Sequence, residues 1–153
     1  MKYKIRIENL KSQPTLAMTA TTTRAEVSTV LADLLPQVHV YTAQSGADMA
    51  GPPFTRYHNR SEETVELEAG MPVTEPATGE GSIEAGELPG GPAAVTIHVG
   101  PYHRLSEAYA ALQTWLQENG KEPAGAPWEV YLTDPGLDPD PETWQTKIVW
   151  PVR

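Results

Sequence analysis

The sequence predicts an α+β fold made of two strand-helix-strand-strand units related by a pseudo-two-fold axis, with an antiparallel sheet, two main helices and a central cleft. Apolar residues alternate with polar ones in several segments, as in half-buried strands, and recur at helical spacing in two others. The same order of elements occurs twice along the chain. Two segments are also alike, since Pro53-Phe54-Thr55-Arg56-Tyr57 and Pro127-Trp128-Glu129-Val130-Tyr131 share a Pro, an aromatic residue and a Tyr.

The first unit is predicted to begin with a strand over residues 3–10. Tyr3, Ile5 and Ile7 alternate there with polar residues, so one face of the strand is apolar and the other is polar. The Gln13-Pro14 pair is expected to end this strand.

The helix of the first unit is predicted to start at a capping box, Thr23-Arg24-Ala25-Glu26, in which the Thr and Glu side chains satisfy free backbone N–H groups. Its apolar face is formed by Val27, Val30, Leu31 and Leu34. Pro36 is expected to end the helix, because proline has no N–H and clashes with the preceding turn. Residues 53–59 and 63–69 complete the unit as two strands joined by a polar turn.

A connector over residues 74–91 separates the two units. It is rich in Gly, Pro, Glu and Thr, which is typical of a surface loop, and it contains one short candidate edge strand at Ser82–Leu88. The β-branched run Ala94–Val99 then predicts the first strand of the second unit.

The second unit continues with a helix over residues 104–119. Its apolar stripe is Leu105, Ala108, Tyr109, Leu112, Trp115 and Leu116. Asn119-Gly120 predicts the end of this helix, since glycine readily adopts the left-handed conformation of a helix C-cap. Trp128–Thr133 and Lys147–Val152 supply the two remaining strands, so the order of the first unit is repeated.

Length and composition limit the classes of function. A chain of 153 residues suffices for one domain, which we predict to contain a first repeat (1–73), a connector (74–91) and a second repeat (92–153). Because the chain has no Cys, disulfides, thiolate chemistry and Cys-ligated zinc are excluded. Its net charge of −9 disfavours direct binding of nucleic acid and attracts small cations, although acidity also serves solubility.

The chain is predicted to be cytoplasmic, with no contact with a membrane. No run approaches the about 18 apolar residues of a membrane span. The amino terminus alternates like a strand, whereas a signal peptide would have a continuous apolar region.

No cofactor-binding motif is present, and the four His residues lack the spacing of a metal site, so neither a cofactor nor a metal is expected. His98 is interpreted as a strand residue satisfied by a local hydrogen bond.

Glu129 is the first candidate site residue. It lies opposite Thr55 when the two similar segments are overlaid, and Glu is disfavoured within strands. Strand geometry predicts that Trp128, Val130 and Leu132 face the helices, while Glu129 and Tyr131 point to the opposite face. By the same geometry, Phe54 and Arg56 of the first unit are expected to face its helix. Thr55 and Tyr57 are expected to point to the opposite face of the sheet.

Three motifs of this chain resemble the GyrI-like, or effector-binding, domain family. They are Gly51-Pro52-Pro53-Phe54-Thr55-Arg56-Tyr57-His58, Thr96-Ile97-His98-Val99-Gly100-Pro101-Tyr102 and Glu129-Val130-Tyr131-Leu132-Thr133-Asp134-Pro135. The resemblance covers almost the whole chain and implies a duplicated fold with a central ligand cleft. Members of the family act as drug-sensing parts of multidrug transcription regulators, as gyrase modulators and, in one branch, as hydrolases of cyclopropane-containing alkylating toxins.

The resemblance also implies a role for the matching residues of this sequence. Glu129 corresponds to the carboxylate that meets lipophilic cations among aromatic rings in the drug-sensing members. Tyr57 and Tyr131 can offer ring faces to a cation and hydroxyls to the carboxylate. Tyr102 and Trp150 are further candidates for the wall of the cleft, and each would otherwise fill the core.

Three functions therefore remain open. The first is a stand-alone protein that binds amphipathic, preferably cationic, small molecules, since the resemblance leaves no room for a DNA-binding domain within residues 1–153. The second is hydrolysis of a cyclopropane-containing toxin in the same cleft, with Glu129 activating water and Tyr57 or Tyr131 as proton donor. The third is modulation of gyrase through protein contact. A protein partner is compatible with all three.

Overall fold

The computed structural model describes residues 3–61 and 63–153 and confirms the α+β fold class. The strands of this described part are β1 (Arg6–Leu10), β2 (Gln13–Thr22), β3 (Phe54–Arg60), β4 (Val65–Pro72), β5 (Glu84–Leu88), β6 (Gly91–Val99), β7 (Trp128–Tyr131) and β8 (Gln145–Pro151). The main helices are α1 (Val27–Ser45) and α2 (Leu105–Glu118). Across the described ranges, no helix is both long enough and apolar enough to span a membrane.

The described residues form two compact units. The Glu129 unit joins the segment that ends at Leu10 to Gly91–Arg153, and the Tyr57 unit is Lys11–Gly90. Strand order is β1-β6-β8-β7 in the Glu129 unit and β5-β2-β4-β3 in the Tyr57 unit, and these neighbours are antiparallel. Each unit contains one strand-helix-strand-strand repeat, β6-α2-β7-β8 or β2-α1-β3-β4, plus one added edge strand. The duplication is therefore confirmed.

The first strand of the first repeat was wrongly placed by the sequence analysis. Strand β1 pairs with β6 of the Glu129 unit, from Arg6 opposite Val95 to Leu10 opposite Gly91. The first repeat begins instead with β2, which starts at Gln13 and includes Pro14. Proline is tolerated near the start of a strand, where its missing N–H costs little.

The start of α1 is also different from the prediction. The segment Arg24–Glu26 forms a single 3₁₀ turn in which the backbone N–H of Glu26 donates to the backbone carbonyl of Thr23, at 3.0 Å. The Thr23 side chain makes no capping hydrogen bond, so the predicted capping box is wrong. A backbone turn satisfies the N–H that the Thr hydroxyl was expected to serve.

Pro36 does not end α1, which continues to Ser45 and stops at Gly46, a residue with φ of +84°. A proline inside a helix removes one backbone hydrogen bond and costs about 3 kcal/mol. The helix persists because the residues buried against the sheet, Leu34, Val38 and Thr42, lie on both sides of Pro36. Pro36 itself is exposed, so its ring does not disturb that packing.

Several predicted elements are confirmed within a few residues. Strands β3 and β4 pair antiparallel, the short edge strand β5 pairs with β2, and α2 has Leu105, Ala108, Leu112 and Leu116 buried. The helix ends as the Asn119-Gly120 signal predicted. Gly120 has φ of +64°, and the backbone N–H of Lys121 donates to the carbonyl of Leu116 at 2.9 Å.

The assignment of strand faces was wrong in both repeats. Tyr57 packs in the core cluster that contains Leu34 and Val38 of α1, so Thr55 and Tyr57 face the helix. Glu129 contacts α2 in the same way, as described below, whereas Leu132 is 41% exposed.

Alternation gave no usable signal here because both faces are buried where β3 and β7 begin. Phe54 and Thr55 are 1% and 0% exposed, and Trp128 and Glu129 are each 4% exposed. Arg56 lies opposite Glu68 on β4. Burial lowers the pKa of the Arg56 guanidinium, and the negative charge of Glu68 opposes that shift.

Candidate functional site

Glu129 is a buried carboxylate on the face of the sheet that packs against α2. It is the second residue of β7 and lies opposite Ile148 of β8, which belongs to the core cluster beneath α2. Only 4% of Glu129 is exposed, so its charge is largely removed from water. Burying a carboxylate is costly unless hydrogen bonds or charges compensate.

Two phenol hydroxyls donate to Glu129, one to each carboxylate oxygen. The Tyr109 hydroxyl donates to Oε2 at 2.8 Å, and the Tyr131 hydroxyl donates to Oε1 at 3.1 Å. Such hydrogen bonds are charge-assisted and stabilise the ionised carboxylate. A phenol brings no positive charge, so these two contacts stabilise the anion without neutralising it.

The two tyrosines reach Glu129 from different elements. Tyr109 lies one turn after Leu105 on α2, and its half-buried ring packs against the core cluster of the Glu129 unit. Tyr131 lies two residues after Glu129 on β7, so the two side chains share one face of the strand. Helix register and strand alternation therefore bring both hydroxyls to the same carboxylate.

Further aromatic rings surround this group. The ring of Trp150 lies 6.0 Å from that of Tyr109 in an edge-to-face arrangement, and Tyr102 lies 5.7 Å from Tyr131, also edge-to-face. Trp144 lies 4.9 Å from Tyr102, with the rings tilted by 35°. Three predicted aromatic residues, Tyr102, Tyr131 and Trp150, thus lie in one aromatic group with Glu129. Their role as ligand contacts stays a prediction.

Tyr102 is positioned by the turn between β6 and α2. Gly100 has φ of +138°, a conformation suited to glycine, and His98 Nε2 lies 3.2 Å from the carbonyl oxygen of Pro101. A carbonyl only accepts, so Nε2 carries the hydrogen. His98 Nδ1 lies 2.9 Å from the Tyr3 hydroxyl and accepts from it when the ring is neutral. The expected local hydrogen bond of His98 is confirmed.

The Tyr102 phenol titrates under the influence of nearby carboxylates. Burial raises its pKa above the ordinary value of 10.0, and the negative charges of Asp134 and Glu129 raise it further. A raised pKa means that folding favours the neutral phenol. The contribution to stability is therefore present below pH of about 10 and is lost as pH rises through the folded pKa.

We expect the Glu129→Gln substitution to lower the Tyr102 pKa toward its ordinary value, because one of the two negative charges disappears. Asp134→Asn is expected to act in the same direction. Alkaline titration of ¹³C-labelled tyrosine by NMR measures this, and a Tyr102→Phe variant identifies the Tyr102 signal. An unchanged Tyr102 pKa in Glu129→Gln would contradict an ionised Glu129 close to Tyr102.

Tyr57 belongs to the other compact unit. Tyr57 is 7% exposed and packs in the core cluster beneath α1. Thr55, the residue of this unit that corresponds to Glu129, is fully buried. The predicted contribution of Tyr57 to the Glu129 site stays a prediction. Among residues 3–61 and 63–153, no three His, Asp or Glu side chains are grouped as ligands of a metal ion would be.

Two residues of this aromatic group were missed by the sequence analysis. Tyr109 was assigned to the apolar stripe of α2, and the wrong strand face placed Glu129 away from that helix. Trp144 lies between a short 3₁₀ turn, Pro141–Thr143, and β8, where no periodic pattern draws attention to it. An aromatic residue directly before a strand, near the carboxylate-rich loop that follows β7, was the available signal.

Comparison with protein families identifies the class of domain. A model of the GyrI-like small molecule binding domain matches residues 3–153. The chain belongs to this GyrI-like family. None of the curated proteins matches the chain in sequence.

Solved structures show the same fold. The C-terminal domain of EcmrR has a TM-score of 0.87 and 24% identity, and the match covers 100% of this chain and 99% of that domain. In the EcmrR–DNA complex the match has a TM-score of 0.86 and 24% identity, and it covers 99% of this chain and 57% of that one. This chain therefore spans little more than half of the EcmrR regulator.

Two more distant structures have other descriptions. SAV2435 bound to tetraphenylphosphonium has a TM-score of 0.68 at 9% identity, covering 98% of this chain and 94% of that one. A hydrolase from Listeria innocua has a TM-score of 0.66 at 13% identity, covering 98% of this chain and 92% of that one. At such identities the likeness shows the fold alone.

Proposed function

We propose that this GyrI-like domain binds lipophilic organic cations, with the cationic group held against Glu129 and among the rings of Tyr109, Tyr131, Tyr102 and Trp150. The observation that supports this is the buried Glu129 carboxylate, which accepts hydrogen bonds from two phenols. A buried anion favours a ligand that brings positive charge, and ring faces attract quaternary cations. The chemistry of the site thus selects charge and apolar surface together.

Tetraphenylphosphonium is a suitable first probe, because it joins a positive charge to aromatic surface and is bound by the relative SAV2435. Triphenylphosphine oxide is a neutral molecule with similar rings. We expect tryptophan fluorescence or calorimetric titration to give at least tenfold tighter binding of the cation, which corresponds to about 1.4 kcal/mol. Equal affinity for the two compounds would contradict a role for the carboxylate.

Hydrolysis of a cyclopropane-containing toxin is the second candidate. It is favoured by one observation, a carboxylate flanked by two phenols that are able to donate a proton. Glu129 would take a proton from water, the water oxygen would attack a ring carbon, and the electrons of the broken carbon–carbon bond would be protonated in the product. Cation binding is preferred because each Glu129 oxygen already accepts a hydrogen bond from a phenol, whereas a general base must also hydrogen-bond the attacking water.

A further inference from the structure

A run of aromatic rings leads outward from Glu129. The Tyr131 hydroxyl donates to Glu129, the Tyr131 ring meets Tyr102 at 5.7 Å, and the Tyr102 ring meets Trp144 at 4.9 Å. Exposure rises along this run, from 4% at Glu129 to 37% at Tyr102. At the end of this run, exposed Tyr102 packs against half-buried Trp144, so aromatic surface open to solvent is connected through Tyr131 to the buried carboxylate.

Trp144 is held in place by hydrogen bonds of its indole N–H and of its backbone carbonyl. Its indole Nε1–H donates to the carbonyl of Asp138 at 2.7 Å, and its own carbonyl accepts from the N–H of Gly100 at 2.8 Å. An ion pair between Arg104 and Glu142 also joins the turn that follows Gly100 to the turn that precedes Trp144. Because these contacts restrain the Trp144 ring against Tyr102, little side-chain entropy is lost when a ligand binds there.

The electrostatic surroundings of Tyr102 favour positive charge. Asp134 and Glu129 both raise the pKa of the Tyr102 phenol, so the ring lies in the negative field of two carboxylates, one buried and one exposed. A quaternary ammonium group placed on a ring face gains about 0.5–2 kcal/mol from the π electrons. The field of Asp134 acts in the same direction at this end of the aromatic run.

We propose that Tyr102 and Trp144 form an outer subsite for a second quaternary ammonium group of a ligand whose first cationic group lies against Glu129. This inference rests on the proposed function of the Glu129 site. The ring centres of Tyr131 and Tyr102 are 5.7 Å apart, and those of Tyr102 and Trp144 are 4.9 Å apart. The two cationic groups of one ligand are therefore joined by a flexible spacer, which is apolar because it lies along aromatic rings. The ligand class is therefore an elongated dication.

The test compares decamethonium, which has two trimethylammonium groups on a ten-carbon spacer, with decyltrimethylammonium, which has one. By calorimetric titration, we expect decamethonium to bind about tenfold more tightly than decyltrimethylammonium. Having two equivalent ends accounts for only about twofold of this ratio. A wild-type ratio of about two would overturn the outer subsite.

Substitution of Trp144 assigns the gain to the subsite. Trp144→Leu is expected to lower the ratio of decamethonium to decyltrimethylammonium affinity to about two, whereas Trp144→Phe keeps a ring and most of the ratio. Asp134→Asn, at an exposed position, is expected to lower the ratio about threefold without disturbing packing. Unchanged ratios in Trp144→Leu and Asp134→Asn would each overturn the proposal, and Asp134→Asn decides if Trp144→Leu does not fold.

Failure of the outer subsite and failure of the proposed function give different results. If Glu129→Gln weakens decyltrimethylammonium but decamethonium has no advantage, the outer subsite is wrong and the Glu129 site stands. If Glu129→Gln leaves decyltrimethylammonium unaffected, the proposed function is wrong and the subsite loses its basis.

Discussion

Replacing Glu129 by Gln is expected to weaken tetraphenylphosphonium binding about 30-fold, which corresponds to about 2 kcal/mol. Gln keeps the size of Glu129 and one oxygen that accepts a hydrogen bond, but it removes the negative charge. The affinity for neutral triphenylphosphine oxide is expected to change less than threefold. Calorimetric titration of both compounds against both proteins measures the difference.

Glu118→Gln is the matched control for this prediction. Glu118 is exposed at the end of α2, so its substitution removes the same charge from the protein at a position open to water. At physiological ionic strength an exposed charge has little effect beyond about 8 Å, and Glu118→Gln should bind as the wild type does. Similar losses in both variants would mean that overall acidity, rather than Glu129, attracts the cation.

The fold was predictable where local patterns carry enough information. The apolar stripe of α2 and the glycine after it determine a helix with defined ends, and both were confirmed. The pairing of β1 with β6 was not predictable, because the two strands are far apart in sequence and the alternation of residues 3–10 suits either repeat. The end of α1 was predicted wrongly for a different reason. Burial of apolar residues before and after Pro36 outweighs the backbone hydrogen bond that the proline removes.

The candidate site was predictable in part. Comparison of the two similar segments singled out Glu129, and the family resemblance implied that aromatic rings surround it, but neither identified Tyr109 as a partner or determined the strand face. Trp128 and Glu129 are both buried, so alternation of polar and apolar residues had no exposed side to define. Trp128, Val130 and Leu132 were therefore wrongly assigned to the face that packs against α2. With that assignment, the contact of Tyr109 with Glu129 could not be predicted.

We expect the Leu112→Ala substitution to lower the free energy of unfolding by about 3 kcal/mol. Leu112 is fully buried in the core cluster beneath α2, together with Ala108, Leu116 and Ile148. Truncation removes apolar contacts and leaves a cavity that the surrounding side chains fill only in part. Because Tyr109 is on the same helix, loosened packing of α2 should also weaken cation binding at Glu129.

Leu132→Ala is the control that distinguishes the observed strand face from the one predicted by alternation. With Leu132 41% exposed, the same truncation is expected to cost less than about 1 kcal/mol. Urea denaturation of both variants, followed by tryptophan fluorescence, measures the two costs. If Leu132→Ala proved as destabilising as Leu112→Ala, Leu132 would face the helix, Glu129 would point away from α2, and the hydrogen bond from Tyr109 could not form.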